Sequence, residues 1–194
     1  MTSATWNLGI RMPDDWIPLP LEPGIDVTAW AEEQAAEVAH GTSINAAKLA
    51  HHLREQAADS RLRGPVYAFA FLPQGIQTAI AILEVDVIHP DDTVPELTLD
   101  WIAKTFSAND FGAPEIVQAK LPAGPAVRIR QNIAGEQAEP SGARTLIETV
   151  TYGVRPPEIE SAVLVLASWT APGIGDRLVE GTDAIASSLS VDTR

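Results

Sequence analysis

Four strand-length apolar runs follow one another in the second half of the chain with no helical pattern between them. They span residues 116–121, 126–133, 144–154 and 159–169, and glycine, proline or polar residues bound each run. The connection Arg155-Pro156-Pro157-Glu158 is tight, so the strands on either side of it are expected to be antiparallel neighbours. This half of the chain therefore predicts an antiparallel sheet.

The N-terminal part carries a predicted helical hairpin from Asp26 to about Ser60. Asp26 or Thr28 is expected to cap its first helix, Gly41 to end that helix, and Ser43 to cap the second. The inner seam is rich in alanine, which allows close packing between the helices or on a sheet.

A β-hairpin is predicted next, from residues 66–72 and 76–88. Tyr67, Phe69 and Phe71 alternate along the first strand and so share one face, which we expect a helix to cover. Pro73-Gln74-Gly75 supplies the turn between the strands.

The remaining elements complete the pattern. A short first strand is expected at residues 8–12, an extended proline-rich loop at 14–24, a crossover helix within 95–109, a solvated loop at 134–142 and a final helix from about Asp176. The inner stripe of that helix is predicted to consist of Leu178, Thr182, Ile185 and Leu189.

Helices that interrupt runs of strands, without alternating strictly with them, indicate the α/β (α+β) class. We expect an α/β/α sandwich with a central, mainly antiparallel sheet and helices on both faces. No internal repeat, low-complexity tract or linker is evident, so residues 1–194 are expected to form a single domain.

Composition excludes several classes of function. The 194-residue chain has 26 acidic and 13 basic residues and a formal net charge of -13, which disfavours binding to nucleic acid and to anionic membranes. It has no cysteine, which excludes disulfides, thiol nucleophiles and cysteine-ligated metals. The first residues lack the pattern of a secretory signal and no apolar run is long enough to span a bilayer, so we expect a cytoplasmic protein without membrane insertion.

Several segments resemble a known fold family. They are an opening strand leading into Met12-Pro13-Asp14-Asp15-Trp16, a last strand finishing at Ala167-Ser168-Trp169, a Pro172-Gly173 turn, and a closing helix ending Ile185-Ala186-Ser187-Ser188-Leu189. Together with the order of elements, they are similar to the Mog1/PsbP-like fold, and the composition resembles that of actinobacterial proteins of this type. Known members of that fold include a partner of a small GTPase and an extrinsic photosystem subunit. The resemblance implies a binding or assembly role and assigns no site residue.

Motifs for metal binding and catalysis are not found. His51 and His52 are adjacent on a helix, so their side chains diverge by about 100° and cannot share a metal. Ser168 has neither a nucleophile-elbow context nor an identifiable histidine partner. The glycine-containing turn at 172–176 lacks a complete phosphate-loop pattern, and Asp176 would repel phosphate. We therefore expect no catalytic residue, no metal ligand and no cofactor.

Two sets of residues stay as candidate binding positions. Trp6, Trp16 and Trp30 lie in or near the proline-rich arm and could anchor a partner, although core packing is the competing interpretation. The alternative set is Glu84, Asp86, Arg128 and Arg130. Glu84 and Asp86 share a face of an apolar strand, where burial could raise their pKa values, and the two arginines belong to a stretch rich in arginine. Solvated, mixed-charge strands are the competing interpretation there.

The sequence thus favours a noncatalytic, cytoplasmic protein-binding or assembly module. A protein partner would be held by the acidic surface or by an apolar groove beside the arm. Two alternatives stay open: a small-molecule-binding protein or enzyme whose site is assembled from scattered residues, and a self-assembling structural subunit.

Overall fold

The computed structural model describes residues 6–137, 144–171 and 173–193. The predicted loop at 134–142 falls partly outside this range, because 138–143 are not described, and the described part belongs to a strand. The described elements, in chain order, are β1 (Trp6–Gly9), β2 (Trp16–Pro18), α1 (Val27–Ala39), α2 (Ala46–Arg63), β3 (Tyr67–Phe71), β4 (Ala81–Ile88), α3 (Leu99–Phe106), β5 (Glu115–Leu121), β6 (Gly124–Gln137), β7 (Arg144–Val154), β8 (Ala162–Trp169), α4 (Gly175–Ser187) and β9 (Ser190–Thr193).

These elements fall into two compact units. One comprises Pro13–Asp86, and the other comprises Met1–Met12 together with Val87–Arg194. They are called the first unit and the second unit below. Whether residues 1–194 behave as one domain stays a prediction.

In the first unit, β2, β3 and β4 pair antiparallel in that order. The predicted hairpin of two strands is confirmed, but β4 begins only at Ala81. Residues Trp16–Pro18, which were expected to be loop, form the short strand β2 because they pair with Phe69–Phe71 of β3.

The two helices of this unit pack on the alanine face of β3. Ala68, Ala70 and Leu72 form one buried cluster with residues of α1 and α2, among them Leu49 and Leu53. The prediction placed a helix on the aromatic face instead, where Trp16 packs on Phe71 with ring centroids 5.1 Å apart. Alanine seams on the helices and on the strand allow the backbones to approach closely, which explains the choice of face.

Capping explains where these helices begin. Of the two predicted caps, Asp26 and not Thr28 caps α1, because its Oδ1 accepts from the backbone amides of Thr28 and Ala29. The prediction of Ser43 as the second cap is wrong. Asn45 caps α2 through a 3.0 Å bond from the Lys48 amide to its side-chain oxygen.

In the second unit, β8, β7, β6 and β5 pair antiparallel in that order, as the sequence predicts. The short connection from Val154 to Ala162 joins antiparallel neighbours, also as predicted. A further sheet pairs β1 with β9 antiparallel, and β9 was not predicted.

Helices lie on both faces of the sheet of the second unit. On one face α3 packs through Ile102 against Gly153 and a cluster containing Val127, Ile129 and Leu164. On the opposite face α4 meets Arg128 and Tyr152, which are register partners on β6 and β7. The predicted α+β class, with an antiparallel sheet between helices, is confirmed. In the described residues, no helix is both long and apolar enough to cross a membrane.

Candidate functional site

A groove of about 660 Å³ lies along the proline-rich arm of the first unit. We call it the arm groove. Its lining comes from the arm and β2, from α1, from the α1–α2 connection and from the turn after β3: Asp14, Asp15, Trp16, Ile17, Pro18, Gln34, Glu37, Val38, Thr42, Ile44, Leu72, Pro73, Gln74 and Gly75.

The floor of the arm groove is apolar. Trp16 and Leu72 are only 6% and 7% exposed, and Ile17, Val38 and Ile44 are half-buried. The arm is held in place by backbone hydrogen bonds, including one from the Leu72 amide to the Asp15 carbonyl at 2.9 Å. Such a floor can take up an apolar side chain without rearrangement of the sheet.

The rim of the arm groove is acidic. Asp14 and Glu37 are exposed, and neither has a salt-bridge partner among the residues that the structure describes. Both carboxylates can therefore interact with an incoming cation.

The three candidate tryptophans have different environments. Trp16 is buried and lines the arm groove from β2. Trp30 is half-buried on α1, where it packs against the cluster between the helices and β3. Trp6 is half-buried on β1 and belongs to the second unit. Of the three, the structure places Trp16 at the groove.

Glu84 and Asp86, from the alternative set, lie on β4 in the first unit. Glu84 is 14% exposed at its side chain and accepts hydrogen bonds from the Arg63 guanidinium at 2.8 to 3.0 Å and from the Ser60 hydroxyl at 2.7 Å. The hydrogen bond with Glu84 raises the pKa of Arg63. Its carboxylate thus ties α2 to β4, whereas Asp86 is exposed.

Arg128 and Arg130, the other two members, lie on the α4 face of the second unit. Arg128 pairs with Asp183 at 3.0 Å and with Glu115 at 3.6 Å. Burial lowers the pKa of Arg128, but the hydrogen bond and charge of Asp183, together with the charges of Tyr152 and Glu115, more than offset this, so its pKa is raised overall. Both carboxylates neutralise this guanidinium.

Arg130 is neutralised in the same way. It pairs with Glu148 at 2.7 Å and with Asp176 at 3.3 Å, and the hydrogen bond with Glu148 raises its pKa. Trp169 donates its indole N–H to the second oxygen of Glu148 at 3.1 Å. Each arginine therefore has two carboxylate partners, which disfavours an anion-binding role for this cluster.

The segment 172–176 was considered as a phosphate loop; Pro172 lies outside the described residues, and Gly175 and Asp176 form the start of α4. Among the described residues no side chain caps this helix, but a Cβ added at Gly175 would lie 2.7 Å from an oxygen of Glu148. The carboxylate of Glu148 thus sits at the positive end of α4. An anion from the chain itself occupies the place that a phosphate would take.

The side chains of three of the four histidines have separate partners. His51 pairs with Glu55 at 3.3 Å, His52 contacts the Ala79 carbonyl at 3.1 Å, and His89 contacts the Ser161 hydroxyl at 2.8 Å. In the part of the chain that the structure describes, no group of three or more metal-ligating side chains is found.

Sequence reasoning missed Tyr152, Asp183 and Glu148 as members of the arginine cluster. The Tyr152 hydroxyl donates to Asp183 at 2.9 Å, and burial, followed by this bond, raises the pKa of Tyr152 to about 12. Asp183 lies on α4, 55 residues after Arg128, so the local pattern carries no signal of that contact. Period-2 alternation does place Glu148 and Tyr152 on one face of a strand.

Comparison with known proteins identifies the fold alone. No protein-family model and no curated protein matches the chain. A solved structure that does match is LpqN, described as involved in cell envelope biogenesis of Mycobacterium tuberculosis. The TM-score is 0.54 at 10% sequence identity, with 97% of this chain and 85% of LpqN covered. The likeness is one of architecture.

Proposed function

We propose that this chain is a noncatalytic protein-binding module of the cytoplasm that holds a basic, apolar segment of a partner protein in the arm groove. The observation that carries the proposal is the combination of an apolar floor with an acidic rim. The resemblance to Mog1/PsbP-like binding modules agrees with the proposal by analogy.

The floor supplies the binding energy in this proposal. Ile17, Val38 and Ile44 are half-buried, so an apolar side chain placed on them removes further apolar surface from water. Trp16 and Leu72 are already packed and give the floor a fixed shape. The partner segment therefore carries at least one aliphatic or aromatic anchor.

The rim supplies selectivity. Asp14 and Glu37 flank the floor, and the whole chain has a formal net charge of -13. A lysine or arginine beside the anchor would meet these carboxylates and would also approach faster in the negative field. An acidic segment would be repelled.

Photo-crosslinking from inside the groove identifies the partner segment. A photoreactive phenylalanine analogue replaces Ile44, and in a matched control it replaces Leu62, which is 87% exposed on α2 and does not line the groove. We expect position 44 to capture a protein that position 62 does not, through a segment with an apolar anchor and flanking basic residues. An acidic or wholly polar crosslinked segment would contradict the proposal.

Charge reversal then tests the rim with a synthetic peptide of the captured segment. Asp14→Lys combined with Glu37→Lys is expected to raise Kd by about tenfold or more. The control Glu33→Lys makes a change of the same kind on α1 outside the groove lining and should leave Kd nearly unchanged. Equal effects of the two variants would argue against the groove as the site.

A further inference from the structure

Strand β5 has one edge without a neighbour among the strands that the structure describes. It pairs with β6 from Glu115 to Leu121 and lies at the end of the strand order in the second unit. The side chains of Ile116 and Val117 point to opposite faces of the sheet, and both are exposed, at 44% and 46%. This strand therefore presents both an open backbone edge and apolar side chains.

The register shows which backbone groups face outward. A two-residue turn joins β5 to β6, and its closing pair, Leu121 with Gly124, is of the hydrogen-bonded type. Hydrogen-bonded pairs then recur at every second residue, so the amides and carbonyls of Ile116, Gln118 and Lys120 point away from β6. Pro125, which lies opposite Lys120, agrees with this alternation. It has no amide hydrogen to donate to Lys120, and its carbonyl faces away from β5, where it accepts from the Arg155 amide at 2.9 Å.

The usual protection of an edge strand is weak here. No proline occurs within Glu115–Leu121, the register with β6 is continuous over the whole strand, and Lys120 is its single lysine. Natural edge strands are commonly short, bulged, covered or rich in charge, because an open edge pairs with other strands.

We propose that a second copy of this chain pairs antiparallel with β5, so that the sheets of two second units become continuous. In this pairing the two-fold axis passes beside Val117, so Val117 lies opposite Val117 of the second copy as a non-hydrogen-bonded pair. The outward groups of Ile116 then bond those of Gln118 in the other copy. Every apolar residue exposed on β5 contacts the second copy in this arrangement.

Strand β5 carries no net charge of its own, so two copies of it can pair without repulsion between the paired strands. Glu115 and Lys120 cancel within β5, although the chain as a whole has a formal net charge of -13. In the pairing about Val117, Glu115 lies opposite the counterpart of Ala119, so like charges do not meet across the ladder. β5 shares no residue with the arm groove, so this proposal does not depend on the proposed function.

Sedimentation equilibrium over about a thousandfold range of concentration tests the pairing. We expect the wild type to dimerise and Gln118→Pro to be monomeric, because the proline removes only an outward-facing amide. Circular dichroism confirms that the variant is folded. The control Leu146→Lys changes a residue that is 48% exposed on β7, away from the edge, and should dimerise like the wild type.

Disulfide trapping tests the geometry, because the natural chain has no cysteine. Val117→Cys should oxidise rapidly to a covalent dimer, since the Cα atoms of a non-hydrogen-bonded pair lie about 4.5 Å apart, within the range that a disulfide spans. Leu146→Cys is the control and should stay monomeric. A wild type that is monomeric throughout, a Gln118→Pro variant that dimerises normally, or equal crosslinking through positions 117 and 146 would each overturn the proposal.

Discussion

The hydroxyl of Tyr152 shows how one buried contact sets the chemistry of a residue. Burial is the main cause of its raised pKa, and the bond to Asp183 adds to it. The neutral phenol is therefore a hydrogen-bond donor well beyond physiological pH. It positions Asp183 for Arg128 and does not act as a base.

The raised pKa of Tyr152 predicts alkaline instability. A folded-state pKa of about 12 compared with 10.0 for the free side chain means that the folded state holds the proton more tightly. The resulting stabilisation is complete below pH 10 and is lost as the pH rises through 12. Because the chain has two tyrosines, a Tyr67→Phe background leaves Tyr152 as the single phenol whose ionisation changes the ultraviolet absorbance.

We expect the ionisation of Tyr152 in this background to occur near pH 12, or to coincide with alkaline unfolding. In a further Asp183→Asn variant it should move towards pH 10, since a hydrogen bond and a negative charge that raise it are weakened. Ionisation of the folded Tyr67→Phe protein near pH 10 would contradict this account of the buried hydroxyl.

Gly153 is a second residue whose role follows from one contact. A Cβ at this position would overlap the Cγ2 methyl of Ile102, which packs against it from α3. Gly153→Ala is expected to destabilise the protein by about 1–3 kcal/mol through overpacking. The free energies of unfolding of both single variants and of the double variant Gly153→Ala with Ile102→Ala should be measured in urea.

The double variant makes this prediction specific. Removal of the Ile102 side chain creates space for the new methyl, so the combined loss should be clearly smaller than the sum of the single losses. Additive losses would mean that the contact with Ile102 is not the source of the strain.

At the scale of elements, Glu84 joins a helix to a strand. Its carboxylate accepts from Arg63 and Ser60, both in the last turn of α2. Glu84→Ala is expected to lower the free energy of unfolding by about 1–3 kcal/mol, because it leaves the buried Ser60 hydroxyl without this acceptor. Arg63→Ala should cost less, since its side chain is 51% exposed.

A control for this prediction is Glu55→Ala on the same helix, where the pair with His51 is more than half exposed on both sides. We expect a change within about 0.5 kcal/mol there. A loss at Glu84 no larger than at Glu55 would show that the carboxylate does not tie α2 to β4.

Local patterns predict the elements whose signals lie within a few residues. The cap of α1 at Asp26 and the strand run of β7 are examples, as is the buried stripe of α4 from Leu178 to Ile185; Leu189, predicted as its last member, is buried but lies after the end of the helix. In each case the periodicity or the cap depends on neighbouring residues alone.

Elements that exist through a distant partner escaped prediction. The strand β9 is four residues long and pairs with β1 at the other end of the sequence. The strand β2 contains Pro18 and is defined by β3. Asn45 and Ser43 are equally good caps by composition, so the sequence alone does not choose between them.

In the candidate sites, too, residues with a local sequence signal could be predicted, and residues brought in by a distant element could not. The arm residues Asp14 to Pro18 are recognisable from their prolines and from Trp16, but Ile44 reaches the groove only because the helical hairpin folds back. The partners of Arg128 and Arg130 include residues of α4, about fifty positions along the chain. Such contacts depend on how a helix crosses a sheet, and local spacing does not encode that.

At the scale of the whole molecule, the net charge of -13 acts on the two proposed interactions with opposite sign. Binding in the arm groove joins a negative surface to a basic segment, so Coulomb attraction contributes to its affinity. Pairing at β5 joins two negative chains through a neutral strand, so the remaining charge opposes it.

Salt therefore should separate the two interactions. Between about 50 mM and about 500 mM salt the screening length falls roughly threefold, which weakens attraction and repulsion alike. We expect the Kd of the basic peptide to rise and the dimer dissociation constant to fall over this range, as measured by calorimetry and by sedimentation equilibrium. The Gln118→Pro variant should show the same salt dependence of peptide binding as the wild type, because the groove and the edge share no residue. Dimerisation that weakens with salt would mean that ion pairs hold the two copies together, which contradicts pairing through the neutral strand β5.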